Sequence, residues 1–197
     1  MTRSKGHVKK SAHARHLTRH DWLEAALRLV VQSGVQGLKV KELAAAVGAT
    51  TGSLYWHFRD RSELMDALLE HWAERSTREI LDRARATRLA PEARLLYLMR
   101  EVLDNDATSS DLAFRAWARS SERAADAVKR VDRLREETVG RLFEEMGFRG
   151  TERETRARLL ICYESCERVV YPDLPRSKRH ELLKARHALL CRRRDEA

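Results

Sequence analysis

Residues 37–66 read GLKVKELAAAVGATTGSLYWHFRDRSELMD, and this stretch is the most informative part of the 197-residue chain. Ala44 stands four residues before Gly48, where a small side chain lets two helices pack closely. Leu54 lies on a second short segment after that glycine. The apolar residues of the first segment recur at helical spacing: Val40, Leu43 and Val47. The pattern predicts two short helices joined by a tight glycine turn, which is a helix-turn-helix.

A shared core of these apolar residues would hold the opposite side of the second helix outward, toward a DNA major groove. The outward residues would be Thr51, Ser53, Trp56 and His57. Thr50 is the expected cap of this helix. The helix would be about ten ångströms long, for roughly seven residues that rise 1.5 Å each, which suffices to enter one groove.

The same stretch resembles the TetR/AcrR family of one-component transcriptional regulators, and the resemblance covers about residues 18–72. Beyond that range, only the chain length and the number of helices are similar. The residues that carry the resemblance are Ala25 and Ala26, Gly34, Leu43 and Ala44, Gly48, the run GSLYWHF at residues 52–58, and Glu63 and Leu64.

The resemblance implies two kinds of DNA contact. Tyr55 and His57 would bind backbone phosphates, whereas Thr51, Ser53 and Trp56 would lie against bases or sugars. Arg61 stands where the family usually has a phosphate-binding Lys, and it keeps the charge with a different fork geometry. The predicted DNA-binding residues are Lys39, Lys41, Thr50, Thr51, Ser53, Tyr55, Trp56, His57 and Arg61.

One residue departs from the family pattern. The family commonly has Thr or Ser where this chain has Lys39. The helix that begins directly after Lys39 would therefore lack a capping hydroxyl, and Glu42 would lack its capping-box partner. Lys39 retains the ability to contact phosphate. Purely structural alternatives stay open for several residues, with Tyr55 and Phe58 as core aromatics and Lys39 and Lys41 as solvated charges.

Charge is concentrated in the amino-terminal third of the chain. There are 39 Lys and Arg against 30 Asp and Glu, which gives a formal net charge of +9. Residues 1–60 hold +6 of that charge and residues 61–197 hold +3. A basic first third indicates a polyanion partner, although solvated charge that aids solubility is the plain alternative.

Composition excludes several classes of protein. No apolar run is long enough to span a bilayer, and no apolar stretch follows the basic N-terminus as in a secretory signal. Three Cys are too few for a disulfide scaffold and favour a reducing compartment. We therefore expect a cytoplasmic protein without a membrane partner.

The periodic segments all read as helices, so the predicted fold class is all-α with about nine helices. An N-terminal three-helix DNA-binding domain would precede a larger helical domain, which the resemblance makes a ligand-binding and dimerisation domain. The predicted boundaries are a basic flexible arm at 1–16, the DNA-binding domain at 17–60 and the effector-binding and dimerisation domain at 61–197. The arm, with Arg15 and Arg19 nearest the domain, either enters a minor groove or adds only salt-sensitive affinity.

The resemblance also implies that the last two helices, about 151–171 and 177–193, pair with those of a second copy as a four-helix bundle. Their apolar stripes would otherwise pack within one protomer. Glu164 and Glu167 would orient a cationic or hydrogen-bonding ligand if they faced inward, but the sequence favours an outward, solvated position. The predicted ligand-binding residues are Met99, Leu103, Phe114, Trp117, Phe143, Tyr163 and Cys166.

Cysteine spacing gives little support for a metal site. Cys162 and Cys166 are four residues apart on one helical face, and Cys191 is distant. His180 and His187 lie on the next helix, but zinc sites usually combine closer pairs. Buried, inert thiols are the default interpretation, so no metal and no cofactor are predicted.

Together these features predict a ligand-responsive, DNA-binding transcriptional regulator. We expect a repressor that binds a palindromic operator as a homodimer and leaves it when a small-molecule effector binds. The alternative is a DNA-binding protein of the same fold without such an inducer, which organises the nucleoid or is controlled by a protein partner. The chain has no nucleophile–base pair of recognisable spacing, no P-loop and no dinucleotide fingerprint, so no enzymatic activity is predicted.

Overall fold

The computed structural model describes residues 17–193. Ten α-helices and no strand occur in that range, and none of the helices found there is long and apolar enough to cross a membrane. Their bounds are α1 Arg19–Ser33, α2 Val40–Ala46, α3 Thr51–Tyr55, α4 Arg61–Ala73, α5 Glu79–Ala86, α6 Pro91–Asp104, α7 Ala107–Ala118, α8 Glu122–Glu145, α9 Gly150–Val170 and α10 Arg176–Cys191. The predicted arm at 1–16, with Arg15, lies outside the described residues.

A π-helical segment at Glu74–Arg78 joins α4 to α5 without a break. These three elements form one continuous helix, which we call the connecting rod. Counted in this way, residues 17–193 form nine helical rods, and the predicted all-α class with about nine helices is confirmed. We refer to α1–α3 as the head and to α6–α10 as the body.

Side-chain caps fix the starts of α1 and α3. Thr18 Oγ1 accepts a hydrogen bond from the backbone N–H of Asp21, and the Asp21 carboxylate accepts one from the Thr18 N–H at 2.8 Å. Thr50 Oγ1 accepts from the Ser53 N–H at 3.2 Å, so Thr50 caps α3 as predicted. Gly48 adopts a φ of 67° between α2 and α3. Glycine reaches this left-handed conformation without a steric cost, which permits the tight turn.

The first of two cores joins the head and α4 to α7 and the start of α8. At its centre, Trp72 of α4 stacks on Phe114 of α7, with ring centroids 4.6 Å apart and ring planes 10° apart. Both side chains are fully buried. This core crosses the predicted domain boundary at residue 60, because three short helices are too small to enclose their own apolar side chains.

The rings of Phe114 and Trp117, both on α7, therefore pack in or against this core. The sequence predicts Phe114 and Trp117 as effector-binding residues, yet Phe114 is buried in the first core and Trp117 packs against it. Helical spacing identifies an apolar face of α7, but it does not reveal that α4 is the neighbour which covers that face.

The second core joins α5 and α6 to α8, α9 and α10. Phe143 of α8 is fully buried there, and its ring centroid lies 5.9 Å from that of Phe148. Phe143, another residue predicted to bind ligand, thus packs among core side chains. The two cores together place the head at one end of the connecting rod and the body along the rest of it.

Truncation of Trp72 tests this packing. Trp72→Ala removes a fully buried ring, and aromatic truncations in cores cost about 3–5 kcal/mol. We expect a loss of that size in the free energy of unfolding, measured by urea titration. Trp56→Ala is the matched control, because the Trp56 side chain is 89% exposed and surface changes usually stay within about 0.5 kcal/mol. Equal losses for the two variants would contradict the assigned packing.

Candidate nucleic-acid interface and body cavity

The exposed side of α3 carries large side chains that the first core does not use. Trp56, directly after α3, is 89% exposed, and Tyr55 is 51% exposed. Trp and Tyr side chains combine a large apolar area with a hydrogen-bonding group, which suits them to binding surfaces. The smaller predicted contact residues on this side are Thr50 and Thr51, both exposed, and Ser53, which is half-buried.

Basic side chains flank α3. Lys39 and Lys41 are exposed at the start of α2. As the sequence predicts, α2 has no side-chain cap, and the Glu42 carboxylate pairs with Lys39 Nζ at 3.2 Å instead. Arg61, the first residue of α4, donates to the Leu38 carbonyl at 3.4 Å. Arg61 therefore lies beside the residues that lead into α2.

His57 occupies a half-buried position just after α3. Its ring centroid is 6.4 Å from that of Trp22, and its carbonyl accepts a hydrogen bond from Arg19 Nε at 3.4 Å. Part of the imidazole stays accessible to solvent. Its phosphate contact stays a prediction.

Arg59 is a cation beside this face that the sequence analysis missed, although the run FRDR at 58–61 signals it. Its backbone N–H and its Nε donate to the Glu63 carboxylate at 2.9 and 3.1 Å. Arg19 reaches the same carboxylate from α1 at 3.0 Å. These donors hold the pKa of Glu63 below its usual value, because they stabilise the charged carboxylate, Arg59 most strongly. Two arginines against one acid leave net positive charge next to α3.

A cavity lies between the connecting rod and helices α6, α7, α8 and α9. It offers about 60 Å³ of room for the centres of water-sized molecules, and it opens in part to solvent. Most of the lining is apolar, with Ile80, Leu98, Met99, Val102, Leu160 and Ile161 among its residues. Its polar lining consists of Ser76, Thr77, Thr108, Asp111, Arg135, Glu164 and Ser165.

A buried ion cluster forms one polar wall of this cavity. Asp111 is only 2% exposed, and it accepts from Arg135 Nη1 at 2.9 Å and from Arg115 Nε at 2.8 Å. Arg135 Nε also donates to the Thr77 hydroxyl at 3.0 Å, which ties α8 to the π-helical segment. Arg115 Nη1 binds Asp132 at 2.9 Å. Two arginines and two carboxylates balance, so the cluster carries no net charge, and its members Asp111 and Arg135 line the cavity.

The sequence contained a signal for this cluster that went unused. Arg135 interrupts the buried stripe of α8 between Val131 and Val139. Asp111 likewise lies three residues before the buried Phe114 on α7. A charge at a core-facing position requires a buried partner, so such interruptions point to a polar site.

Glu164 and Glu167 face inward, so the outward position that the sequence favours is wrong. Glu164 lines the cavity, and its carboxylate lies 2.6 Å from Arg186 Nη2. Burial raises the pKa of Glu164 to about 7 in spite of this pairing. Glu167 instead forms a buried pair with Arg179 at 2.5 Å. Glu164 can therefore present either a carboxylate or a carboxylic acid to the cavity near neutral pH.

Of the predicted ligand-binding residues, Met99 lines this cavity. The Tyr163 hydroxyl donates to Glu167 at 2.7 Å, away from the lining. Cys166 and Cys162 are both exposed, which corrects the default of buried thiols for these two residues. The predicted residues that do not line the cavity are Leu103, Phe114, Trp117, Phe143, Tyr163 and Cys166.

The geometry of the head defines a class of protein, since α2 and α3 meet through a glycine turn with a large exposed surface on α3. This is a helix-turn-helix domain. Residues 23–68 match the family described as "Bacterial regulatory proteins, tetR family". The resemblance to TetR/AcrR regulators is thereby confirmed: the chain carries a TetR-family DNA-binding domain and has the fold of that family.

Relatives and solved structures agree with this family. The HTH-type transcriptional regulator AcrR of Shigella flexneri is 45% identical over 53 residues, 27% of this chain and 25% of that protein. The HTH-type transcriptional regulator TtgR of Pseudomonas putida is 34% identical over 96 residues, 49% of this chain and 44% of that protein. The matched region thus spans less than half the length of these relatives. A TetR transcriptional regulator from Legionella pneumophila shares the fold, with a TM-score of 0.72, 16% identity, and coverage of 88% of this chain and 95% of that chain.

Asp111→Asn tests the buried ion cluster. The change leaves Arg135 without its carboxylate partner, and removal of one partner of a buried ion pair costs about 3–5 kcal/mol. We expect a loss of that size in the free energy of unfolding. Asp126→Asn is the control, because Asp126 pairs with Lys129 at 3.4 Å on the surface and such pairs contribute at most about 1 kcal/mol. A similar, small effect of both changes would argue against the cluster.

Proposed function

We propose that this chain is a transcriptional repressor that binds a palindromic operator as a homodimer and is released by a small-molecule effector. The observation that carries the proposal is Trp56, 89% exposed at the end of α3, in a domain that matches the TetR family. The basic residues around α3 support it, since they supply the sequence-independent attraction to phosphates.

Two kinds of contact follow from the surface of α3. Trp56, Thr51 and Ser53 are proposed to meet base edges or sugars in the major groove. Tyr55 and His57 would bind phosphates on either side of that groove, which fixes the position of α3 without reading sequence. Lys39, Lys41, Thr50 and Arg61 complete the proposed set of DNA contacts.

Dimerisation is supported by an exposed stripe on α9. Leu159, Cys162, Cys166 and Val169 recur at helical spacing and are all exposed. On α10, Leu189 is 66% exposed. Such apolar surface on adjacent helices is typical of a contact between copies, and a twofold pair would present two α3 helices to two half-sites.

The body cavity is the proposed effector site. Its largely apolar lining suits a largely apolar molecule, and Glu164 suits a ligand with a cationic or hydrogen-bonding group. Ser76 and Thr77 line the cavity and belong to the connecting rod that carries the head. A ligand with different affinities for two positions of this rod would shift the population of the DNA-binding arrangement.

Selection from random duplex DNA tests the proposal. The purified chain is incubated with the pool at about 0.15 M salt, near physiological ionic strength, and the bound duplexes are sequenced. A palindromic motif is expected, and its release by candidate effectors is then measured. Salt-sensitive binding to every duplex, without a motif, would instead favour the alternative of a nucleoid protein or one controlled by a protein partner.

Variants on α3 separate base contacts from phosphate contacts. Trp56→Ala and Ser53→Ala should alter the selected motif, since each base contact contributes about 1–3 kcal/mol of discrimination. Tyr55→Phe should weaken binding to all duplexes by a similar factor, because phosphate contacts carry no sequence information. Tyr171→Phe, a comparably exposed tyrosine of the body, is the control and should leave binding unchanged. An unaltered motif with Trp56→Ala would count against the proposed base contact.

Leu189→Glu tests the proposed dimer. A buried carboxylate in an apolar interface is strongly unfavourable, so the dimer dissociation constant should rise by about 100-fold or more. Sedimentation equilibrium measures this change. Val31→Glu serves as the control, because Val31 is an exposed apolar residue of α1 in the head. Identical oligomeric states for both variants would contradict the assigned interface.

A further inference from the structure

The far end of the body brings together three soft or nitrogen-containing side chains that the proposed function does not use. Cys191, the last residue of α10, has its Sγ 3.4 Å from His187 Nε2 and 3.9 Å from Met146 Sδ. His187 and Cys191 are four residues apart on α10, so they lie on one face of the helix. Met146 is the residue directly after α8.

A fourth side chain supplies an acid. Glu92 lies at the start of α6, and one oxygen of its carboxylate is within 4.8 Å of the His187 and Cys191 ligand atoms. In the part of the chain from 17 to 193, no Lys, Arg or His forms an ion pair with this carboxylate. The His187 Nε2 currently donates to the Glu92 carbonyl at 2.9 Å.

The distances match the coordination geometry of a small cation. Tetrahedral zinc has metal–sulfur bonds of about 2.3 Å and metal–nitrogen bonds of about 2.0 Å. The corresponding separation between a sulfur and a nitrogen ligand is about 3.5 Å, and between two sulfurs about 3.8 Å. The two spacings at Cys191 are therefore close to those that a bound ion would require.

We propose that Cys191, His187 and Glu92, with the Met146 thioether as fourth ligand, form a binding site for a thiophilic divalent cation of the zinc type. Thiolate and imidazole favour such an ion over Mg²⁺ or Ca²⁺, and the carboxylate favours a divalent ion over Cu⁺. Binding releases the Cys191 thiol proton, moves the proton of the neutral His187 imidazole from Nε2 to Nδ1, and replaces the bond from Nε2 to the Glu92 carbonyl with a bond to the ion.

The electrostatic surroundings accommodate this charge. Arg156 is the nearby cation, but its guanidinium binds the Glu152 carboxylate at 2.7 Å and the Arg192 carbonyl at 2.9 Å.

A second cluster, between α1 and α4, makes a weaker candidate. His20, Glu24 and His71 also bring three ligand atoms together. There the Glu24 carboxylate is already bound by His71 at 2.9 Å and lies 3.3 Å from Arg75 Nε. The guanidinium stands where a cation would have to approach, so this cluster is explained by its own hydrogen bonds.

The ion would join three helices that are distant in sequence. It would fasten the end of α10 to the start of α6 and the end of α8, so metal binding stabilises the folded body. The site is independent of the proposed repressor function. Sequence spacing missed it because Cys191 stands alone in the sequence, whereas Cys162 and Cys166 have the closer spacing but are exposed.

Metal titration of the full chain tests this site. The reduced protein, freed of metal by a chelator, is titrated with Zn²⁺ in competition with a chromophoric chelator, and separately with Co²⁺. We expect one equivalent of tightly bound Zn²⁺, a thiolate-to-cobalt charge-transfer band, and a higher melting temperature with metal. Absence of a stoichiometric Zn²⁺ site in the wild-type chain would overturn the proposal.

Variants assign the ligands. Cys191→Ser should abolish the charge-transfer band and weaken Zn²⁺ binding by at least about 100-fold, more than the loss of an outer-shell partner. His187→Gln and Glu92→Gln should weaken binding while they leave the band in place at saturating Co²⁺. Circular dichroism confirms that each variant is folded.

The other two cysteines and the cluster between α1 and α4 provide matched controls. Cys162→Ser, Cys166→Ser and His71→Gln should each retain the affinity and the band of the wild type. Retention of both by Cys191→Ser, or their loss in His71→Gln, would overturn the assignment to the end of α10.

Discussion

The stack of Trp72 on Phe114 joins the head and the connecting rod to the body. A head of three short helices cannot bury its own apolar residues, so these residues pack against α4, α7 and the start of α8. The stacked rings lie 4.6 Å apart at the centre of that shared core. Because Trp72 belongs to the connecting rod, the orientation of α3 is set by a helix that also reaches the cavity.

The cavity therefore lies close to the first core along the connecting rod. Ser76 and Thr77 line the cavity one turn beyond Trp72, in the π-helical segment of the rod. The Thr77 hydroxyl is held by Arg135, which is held in turn by the buried Asp111. π-Helical turns are rare and occur often at functional sites. The rod is thus least regular at the point where a ligand would touch it.

The head was predictable from sequence because its information is local. The glycine turn, the Thr50 cap and the uncapped start of α2 at Lys39 each depend on residues within one or two turns. The cavity was less predictable, since helical spacing gives the apolar face of a helix but not the neighbour that covers it. Phe114, predicted to bind a ligand, is therefore buried in the first core instead. Glu164 faces inward because Arg186, from α10, compensates its charge.

We propose that the surface around α3 is where this chain binds duplex DNA. Hydrogen–deuterium exchange of the free chain and of the chain bound to a selected duplex tests it most directly, because protection is read out along the whole backbone. We expect new protection in residues 39–61, with the amides of α10 unchanged at a protein concentration where the oligomeric state is constant. Protection confined to the body, with no change around α3, would contradict it.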